Sequence, residues 1–287
     1  MTWTIKALLD WITPYLRDKE VDGPRLCAEL LVCHVLGKQR IELYTQFDQV
    51  VTPAQLEPLR GLVKRAAEHE PVAYLVGRTE FYSLEMAVAP GCLIPRPETE
   101  MLVQHAVETL RLRPGAQAVL DLCTGSGCIA VAVAANHPET RVLATDLSAK
   151  ALEIAQRNVA RHGLAERVTL AQGDLFEPAR GRGPFDLILC NPPYVSQAEY
   201  EALDRNVKAY EPAEALLAGP EGLDLYQRLF QQVADHLKPD AAILIEIGYR
   251  QGPAVRALAE QTGLFDRIRI EKDFQHHDRL VIGKRKL

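Results

Sequence analysis

Apolar positions follow two different rhythms along the chain. Up to about residue 72, Trp3, Leu8, Trp11, Ile12, Tyr15 and Leu16 recur near helical spacing, and Leu26, Leu30, Leu31 and Val35 repeat the pattern before Gly37. Thr52-Pro53 predicts a third helix start, because threonine caps free N–H groups and proline lacks the N–H that would go unpaired in the first turn. Residues 1–72 are therefore read as a helical domain, large enough to carry its own core. From Arg78 to Pro95 the pattern changes to short strands with a turn at Ala89-Pro90-Gly91, and Pro97 then opens a helix through about Leu112. Residues 73–113 thus read as a linker holding a short hairpin and a helix.

Beyond Arg113-Pro114-Gly115, short apolar runs alternate with helical segments: Ala118 to Leu122, Val142 to Asp146, Val168 to Ala171, Phe185 to Cys190 and Ala241 to Ile247. Such alternation predicts an α/β domain over 114–287, a doubly wound and mostly parallel sheet with helices on both faces. Two further runs, Phe265 to Ile270 and Arg279 to Gly283, lie too close together for a helical crossover, so they are expected to pair antiparallel and complete a seven-stranded sheet.

Composition narrows the classes. With 47% hydrophobic and 25% charged residues the chain can bury a core without staples. Its six cysteines form no CxxC pair and have no histidine at zinc spacing, so they read as reduced thiols, with no metal site, in the cytoplasm. Lys6 and Asp10 interrupt the first apolar stretch, and no run reaches the roughly 18 apolar residues of a membrane span, so a soluble chain with no membrane partner is expected. A net charge of −5 offers no basic groove for phosphates, which disfavours nucleic acid as the direct substrate.

Candidate chemistry sits at the carboxyl ends of the strands. The first strand of the α/β domain runs into Asp121-Leu122-Cys123-Thr124-Gly125-Ser126-Gly127 before an apolar helix, and Asp146 ends the second strand, where a carboxylate can accept both hydroxyls of a ribose. Ala130 completes a dinucleotide fingerprint, so the glycines alone fit NAD and S-adenosylmethionine equally. Asp121 would repel a pyrophosphate at this loop but not a sulfonium cofactor with an amino acid tail. After the third strand, Asp174 is placed to meet an adenine edge, with Leu175 or Phe176 as an apolar wall.

The most telling motif is Asn191-Pro192-Pro193-Tyr194, directly after Phe185 to Cys190. An amide nitrogen is a poor nucleophile because its lone pair is delocalised. The Asn191 side-chain oxygen and the Pro192 carbonyl can each accept one N–H and turn that pair toward a methyl group, with bonds that strengthen as charge develops. Two prolines hold the carbonyl without competing donors, and Tyr194 would stack on the planar group. His276-His277, in a loop between strands, receives no role.

With Pro71-Val72-Ala73-Tyr74-Leu75 through Gly77, Glu80-Phe81, and Leu93-Ile94-Pro95-Arg96-Pro97-Glu98-Thr99-Glu100 added, nearly the whole chain resembles the release factor glutamine methyltransferase family. The resemblance implies a class I, Rossmann-like methyltransferase acting in translation termination. It would methylate N5 of the glutamine in the Gly-Gly-Gln motif of class 1 peptide release factors, using S-adenosylmethionine, with the helical domain docking this protein partner. Carried over, Cys123, Thr124, Gly125, Ser126, Gly127 and Asp146 hold the cofactor and Asp174-Leu175 its adenine. Asn191, Pro192, Pro193 and Tyr194 hold the glutamine amide, with Asn191 also touching the cofactor. Relatives usually carry glycine at Cys123, where a side chain is tolerable if φ stays negative. Arg96 is open between pairing with the cofactor carboxylate, contacting the partner and shaping the helix entry. Three other readings compete: an adenine-N6 nucleic-acid methyltransferase, which needs a basic groove; an NAD-dependent reductase, which needs a catalytic Tyr/Lys pair; and a catalytically inactive methyltransferase fold serving as a binding module.

Overall fold

A computed structural model describes residues 2–113 and 115–287, so Pro114 of the expected boundary lies outside the described residues. Two compact units result: Met1–Arg78 with Asp204–Tyr210, and Thr79–Leu203 with Glu211–Leu287. Among the described residues no helix is long and apolar enough to cross a membrane.

The first unit is built on α1 (Ile5–Asp18), α2 (Pro24–Leu36), α3 (Arg40–Thr45), α4 (Pro53–Ala67) and α5 (Val72–Val76). Thr4 caps α1 by accepting from the Ala7 N–H, and Thr52 and Gln55 form a reciprocal cap at α4 with Pro53 in the first turn. Ile5, Leu9, Ile12 and Leu16 of α1 pack on Leu31 and Val32 of α2 and on Leu59 and Val63 of α4. Helices α3 and α5 are too short for periodicity to reveal. The first is fixed by a cap between Gln39 and Glu42, and the second is closed by Gly77 at φ 73°.

A buried carboxylate ties this unit together. Glu29 of α2 is 1% exposed and accepts from Arg25 Nε at 2.6 Å, from Arg40 Nη2 at 2.7 Å and from the Tyr44 hydroxyl. Burial alone would raise its pKa, but Tyr44, Arg40 and Arg25 overcome that and hold it below the ordinary carboxylate value. Its stabilisation is therefore complete above the unfolded carboxylate range and is lost as pH falls through the lowered native value. Both arginines keep solvent access, so removing Glu29 strands no buried charge. Glu29→Ala is expected to lower stability by about 1–2 kcal/mol at pH 7, and by less at pH 3, in urea melts followed by circular dichroism.

The second unit begins with a hairpin of β1 (Arg78–Phe81) and β2 (Leu84–Ala87). Tyr82 and Ser83, at φ 51° and 59°, make the turn that joins the strands, so Ala89-Pro90-Gly91 is a later bend rather than the hairpin turn. Glu100 accepts from the Tyr82 N–H at 2.8 Å, and this outside acceptor supports a turn that its own residues disfavour. A short turn of 3-10 helix at Pro97–Thr99 leads into α6 (Glu100–Arg111).

The sheet follows as β3 (Ala118–Leu122), α7 (Cys128–Asn136), β4 (Arg141–Asp146), α8 (Ala149–Arg161), β5 (Val168–Gln172) and β6 (Phe185–Cys190). Next in the chain come α9 (Gln197–Glu201), α10 (Arg205–Tyr210), which belongs to the first unit, α11 (Asp224–Gln232), β7 (Leu237–Glu246), α12 (Gly252–Gln261), β8 (Phe265–Lys272) and β9 (Asp278–Arg285). Strand order is β5-β4-β3-β6-β7-β9-β8, with β9 antiparallel to both neighbours and the other pairs parallel. The expected doubly wound, mostly parallel seven-stranded sheet is thus present. Strand β7 starts earlier than its apolar run because a bulge against β6 absorbs Pro239, which has no N–H, and Asp240, at φ 60°.

One apolar layer, with Leu102, Val107 and the buried helix α7, covers one face of the sheet, and another, with Phe176, Tyr226 and Phe230, covers the other. Strand order reverses between the parallel neighbours β3 and β6, with β4 and β5 added on one side and β7 on the other, so a crevice opens beyond their carboxyl ends.

Candidate active site

A cleft of about 450 Å³ occupies that crevice. It is lined by Cys123, Thr124, Gly125 and Ser126 after β3, Asp146 after β4, Asp174 and Leu175 after β5, and Asn191 and Pro193 after β6. Strand ends that lie far apart in sequence are thereby brought to one wall.

The loop after β3 is held from within. Asp146 accepts from the Gly125 N–H through Oδ2 and from the Ser148 N–H through Oδ1, each at 2.8 Å, so one carboxylate fixes both the glycine loop and the start of α8. Burial raises the Asp146 pKa, against the pull of these backbone donors. Gly127, at φ 76°, does not line the cleft: a Cβ there would meet Ala155 Cβ at 3.1 Å, so its work is the close approach of the loop to α8. Gly125, at φ 56°, would place a Cβ 3.8 Å from Cys92 Sγ, an ordinary contact, so conformation rather than space calls for glycine.

Cys123 lies at φ 56°, not at the negative φ that would make its side chain harmless. An L-residue in this region carries a cost that glycine avoids. Cys123→Gly is expected to raise stability by about 1 kcal/mol, read as an upward shift in thermal melting.

Three expectations for this region need correction. Asp121 is wholly buried and accepts from the Thr124 hydroxyl at 2.5 Å, so it is a prop inside the loop and not a wall that repels a pyrophosphate. Burial raises its pKa to about 7. Phe176 stacks on His236 in the core, with ring centroids 4.6 Å apart, which leaves the apolar wall to Leu175. Tyr194 turns its hydroxyl to Glu246 Oε1 at 3.5 Å and does not line the cleft, so it does not present its ring there; Pro192, between the cleft-lining Asn191 and Pro193 in the chain, has a buried ring and offers only its backbone carbonyl.

Charge in the cleft is nonetheless informative. Its two arginines are both paired: Arg96 with the buried Glu211 at 2.6 Å and Arg228 with Asp174. Glu211 also accepts from the Ile94 N–H at 3.1 Å, so Arg96 secures the entry to the Pro97 turn. Against these stand Asp146, Asp174 and Glu214, which leaves no uncommitted cation for a pyrophosphate among the lining residues.

Several contributors escaped the sequence reading. Thr99, 2% exposed, accepts from Asn191 Nδ2 at 3.1 Å, which commits the amide nitrogen and leaves its oxygen as the free acceptor. Asn158 of α8 accepts from the Ala87 N–H and donates to the carbonyls of Ala87 and Ser126, stapling the hairpin to the glycine loop. Leu147, 67% exposed, adds an apolar rim beside Asp146. Thr99 was signalled only by its place in the Pro-Arg-Pro-Glu-Thr-Glu segment, and Asn158 and Leu147 by nothing in the pattern. Gln251 donates through Nε2 to the carbonyls of Tyr194 and Gly222 at 2.9 and 3.1 Å, gripping the far end of the Asn191 motif. A Cβ on Gly222 would come within 2.3 Å of the Tyr194 carbonyl oxygen, so only glycine permits this approach.

Residues 7–77 match the family described as PrmC N-terminal domain, and residues 97–218 match the methyltransferase small domain. A release factor glutamine methyltransferase of Rhodopirellula baltica is 44% identical over 282 residues, covering 97% of this chain and 95% of the relative. One from Geobacter sulfurreducens is 43% identical over 282 residues, covering 98% and 97%. Among solved structures, a methyltransferase from Pyrococcus furiosus shares the fold, with a TM-score of 0.51 at 18% identity, over 72% of this chain and 91% of that one.

Proposed function

The chain belongs to the release factor glutamine methyltransferase family, and we propose that it methylates N5 of the glutamine in the Gly-Gly-Gln motif of class 1 peptide release factors, with S-adenosylmethionine as donor. The observation that carries this reading is Asn191, whose amide nitrogen is tied to Thr99 so that its oxygen is left to accept from a substrate N–H at the cleft.

The cleft suits such a donor. Asp146 spends one lone pair of each oxygen on a backbone N–H and keeps the others for a ribose diol. Leu147, Leu175 and Leu225 offer apolar surface for an adenine. Paired arginines and three acids leave a site that favours a sulfonium over a pyrophosphate. When bound there, S-adenosylmethionine supplies an electrophilic methyl group.

On the substrate side, Asn191 Oδ1 and the Pro192 carbonyl are assigned to accept the two amide N–H groups of glutamine. Two such bonds orient the nitrogen lone pair and strengthen as positive charge develops on nitrogen, which favours the transition state over the ground state. Pro193 supplies a rigid wall. Tyr194, with its hydroxyl toward Glu246, is assigned to holding the segment rather than to stacking on the amide. The helical first unit is assigned to docking the release factor.

Peptide mass spectrometry of an unmodified release factor, incubated with this protein and S-adenosylmethionine, tests the proposal, with an adenine-containing oligonucleotide in parallel. A single added methyl on the Gly-Gly-Gln glutamine is expected. Methyl on the oligonucleotide alone would overturn the substrate, and transfer to neither would overturn the reaction.

A further inference from the structure

The Asn191 motif has little to hold it between its two ends. Cys190, the last residue of β6, pairs with Leu122 on one side and Ile245 on the other. Pro192 and Pro193 then lack an N–H, and among the described residues neither proline carbonyl accepts a hydrogen bond. The next fixed points are the Tyr194 carbonyl and Val195, whose N–H donates to the Leu216 carbonyl at 2.8 Å and whose own carbonyl accepts from the Ala218 N–H at 3.0 Å. The Pro192 carbonyl is therefore placed by the chain on either side of it, with no hydrogen bond of its own.

Gln251 supplies the first of those fixed points. It stands just ahead of α12, yet its side chain does not cap that helix and turns back toward the motif. Nε2 donates to the Tyr194 carbonyl at 2.9 Å and to the Gly222 carbonyl at 3.1 Å, while Oε1 accepts from the Gly248 N–H at 2.9 Å and from the Tyr226 hydroxyl at 3.4 Å. Two carbonyls on one side and an N–H on the other leave the amide a single orientation. Space is cleared for it as well: a Cβ on Gly222 would come within 2.7 Å of Nε2, and one on Gly248 within 2.8 Å of Oε1. Gln251 is not among the residues that line the cleft, so its effect on a ligand must pass through the backbone it holds.

We propose that Gln251 is a positioning residue that acts through the Tyr194 carbonyl to set the place of the Pro192 carbonyl, the second acceptor for the substrate amide. The inference rests on the reading of Pro192 as that acceptor.

The link between the two carbonyls is short and stiff. Only Pro193 stands between Pro192 and Tyr194, and its ring locks φ, so a shift at the Tyr194 carbonyl is passed back toward Pro192 with few torsions to absorb it. A staple needed for stability alone could grip any carbonyl of this loop, whereas Gln251 grips the first one after the two prolines. Loss of the grip lets the Pro192 carbonyl drift from the second N–H of the substrate amide, and the nitrogen lone pair loses its alignment with the methyl group. Cofactor contacts on the β3–β4 wall, held by Asp146, are untouched by that drift.

The test compares Gln251→Met and Gln251→Glu with Asp186→Ala in the full chain, reading kcat, KM for the release factor, the S-adenosylmethionine Kd by calorimetry and thermal melting. Methionine keeps the length of the side chain and none of its hydrogen bonds, whereas glutamate keeps the acceptor for Gly248 but sets an oxygen against the Tyr194 and Gly222 carbonyls. Asp186 sits at the opposite end of β6, where it accepts from the Ala118 N–H and from Lys238 Nζ at 2.8 Å each, and its loss is the stability control. Each Gln251 variant is expected to lower kcat by about 10- to 30-fold with KM and Kd held within about threefold, and Asp186→Ala to keep kcat within about threefold while melting lower. Wild-type kcat in Gln251→Met, an equal weakening of S-adenosylmethionine binding, or an equal loss of kcat in Asp186→Ala would overturn the proposal. Should Gln251→Met not fold, Gln251→Glu, which retains the Gly248 bond, decides by the same split between kcat and binding. No methyl transfer by the wild type would remove the functional reading and this inference with it, whereas wild-type turnover that both Gln251 variants retain removes this inference alone.

Discussion

Asn191→Ala is expected to lower kcat by about 10²- to 10³-fold while leaving the S-adenosylmethionine Kd within a few-fold of wild type, the size seen when one preorganised partner of a developing charge is removed. Asn191 contributes no backbone prop to the glycine loop: its observed side-chain bond runs to Thr99, away from Asp146 and Gly125. Removing the amide should therefore strike the step in which charge grows on nitrogen and spare the pocket on the other side of the cleft. Asn191→Asp makes a sharper companion, because it keeps an acceptor oxygen for the cleft but replaces the N–H given to Thr99 by an oxygen that can only accept from the Thr99 hydroxyl. A turnover loss as large as that of alanine would show that the orientation of the amide, and not merely an oxygen in that place, is what matters. An equal loss of cofactor affinity in Asn191→Ala would instead move Asn191 to the donor side of the site.

Much of this arrangement was legible in the sequence because it follows from backbone rules. Strands such as Phe185–Cys190 are almost wholly apolar, as buried parallel strands must be, and a crevice opens at the carboxyl ends of such strands where the strand order reverses. That convergence places Gly125, Asp146, Leu175 and Asn191 on one cleft before any side chain is considered. Side-chain direction was not legible. Asp121 lies two residues before cleft-lining Cys123 in a strand buried on both faces, and Phe176 one residue after cleft-lining Leu175 in a turn, so alternation gives no guide to where either side chain points. Tyr194 follows two prolines, and its ring direction is set by Glu246 and by the grip of Gln251 on its carbonyl, partners some fifty residues away. The short helices α3 and α5 were invisible for a different reason, since each is defined by its ends and not by a periodic face.

Asp146→Ala is expected to weaken S-adenosylmethionine binding by roughly 10- to 150-fold, about 1.5–3 kcal/mol, the range for hydrogen bonds to a charged group. Two losses combine. The ribose loses an acceptor, and the Gly125 and Ser148 N–H groups lose the carboxylate that holds them, at 2.8 Å each, in a loop that already carries positive φ at Cys123, Gly125 and Gly127. A loop in that conformation relaxes once its anchor is gone, so the affinity loss should be accompanied by lower stability of the unliganded protein. Asp146→Asn separates the two effects. Its oxygen can still accept one backbone N–H, but its NH₂ group faces the other as a second donor, so the pocket should be only partly restored. If Asp146→Ala bound the cofactor with unchanged Kd by calorimetry, the ribose would have to lie elsewhere, and the assignment of the whole β3–β4 wall to the donor would fall with it. Intermediate affinity in Asp146→Asn, together with stability between wild type and Asp146→Ala, is the outcome expected if one carboxylate both shapes the loop and holds the ligand.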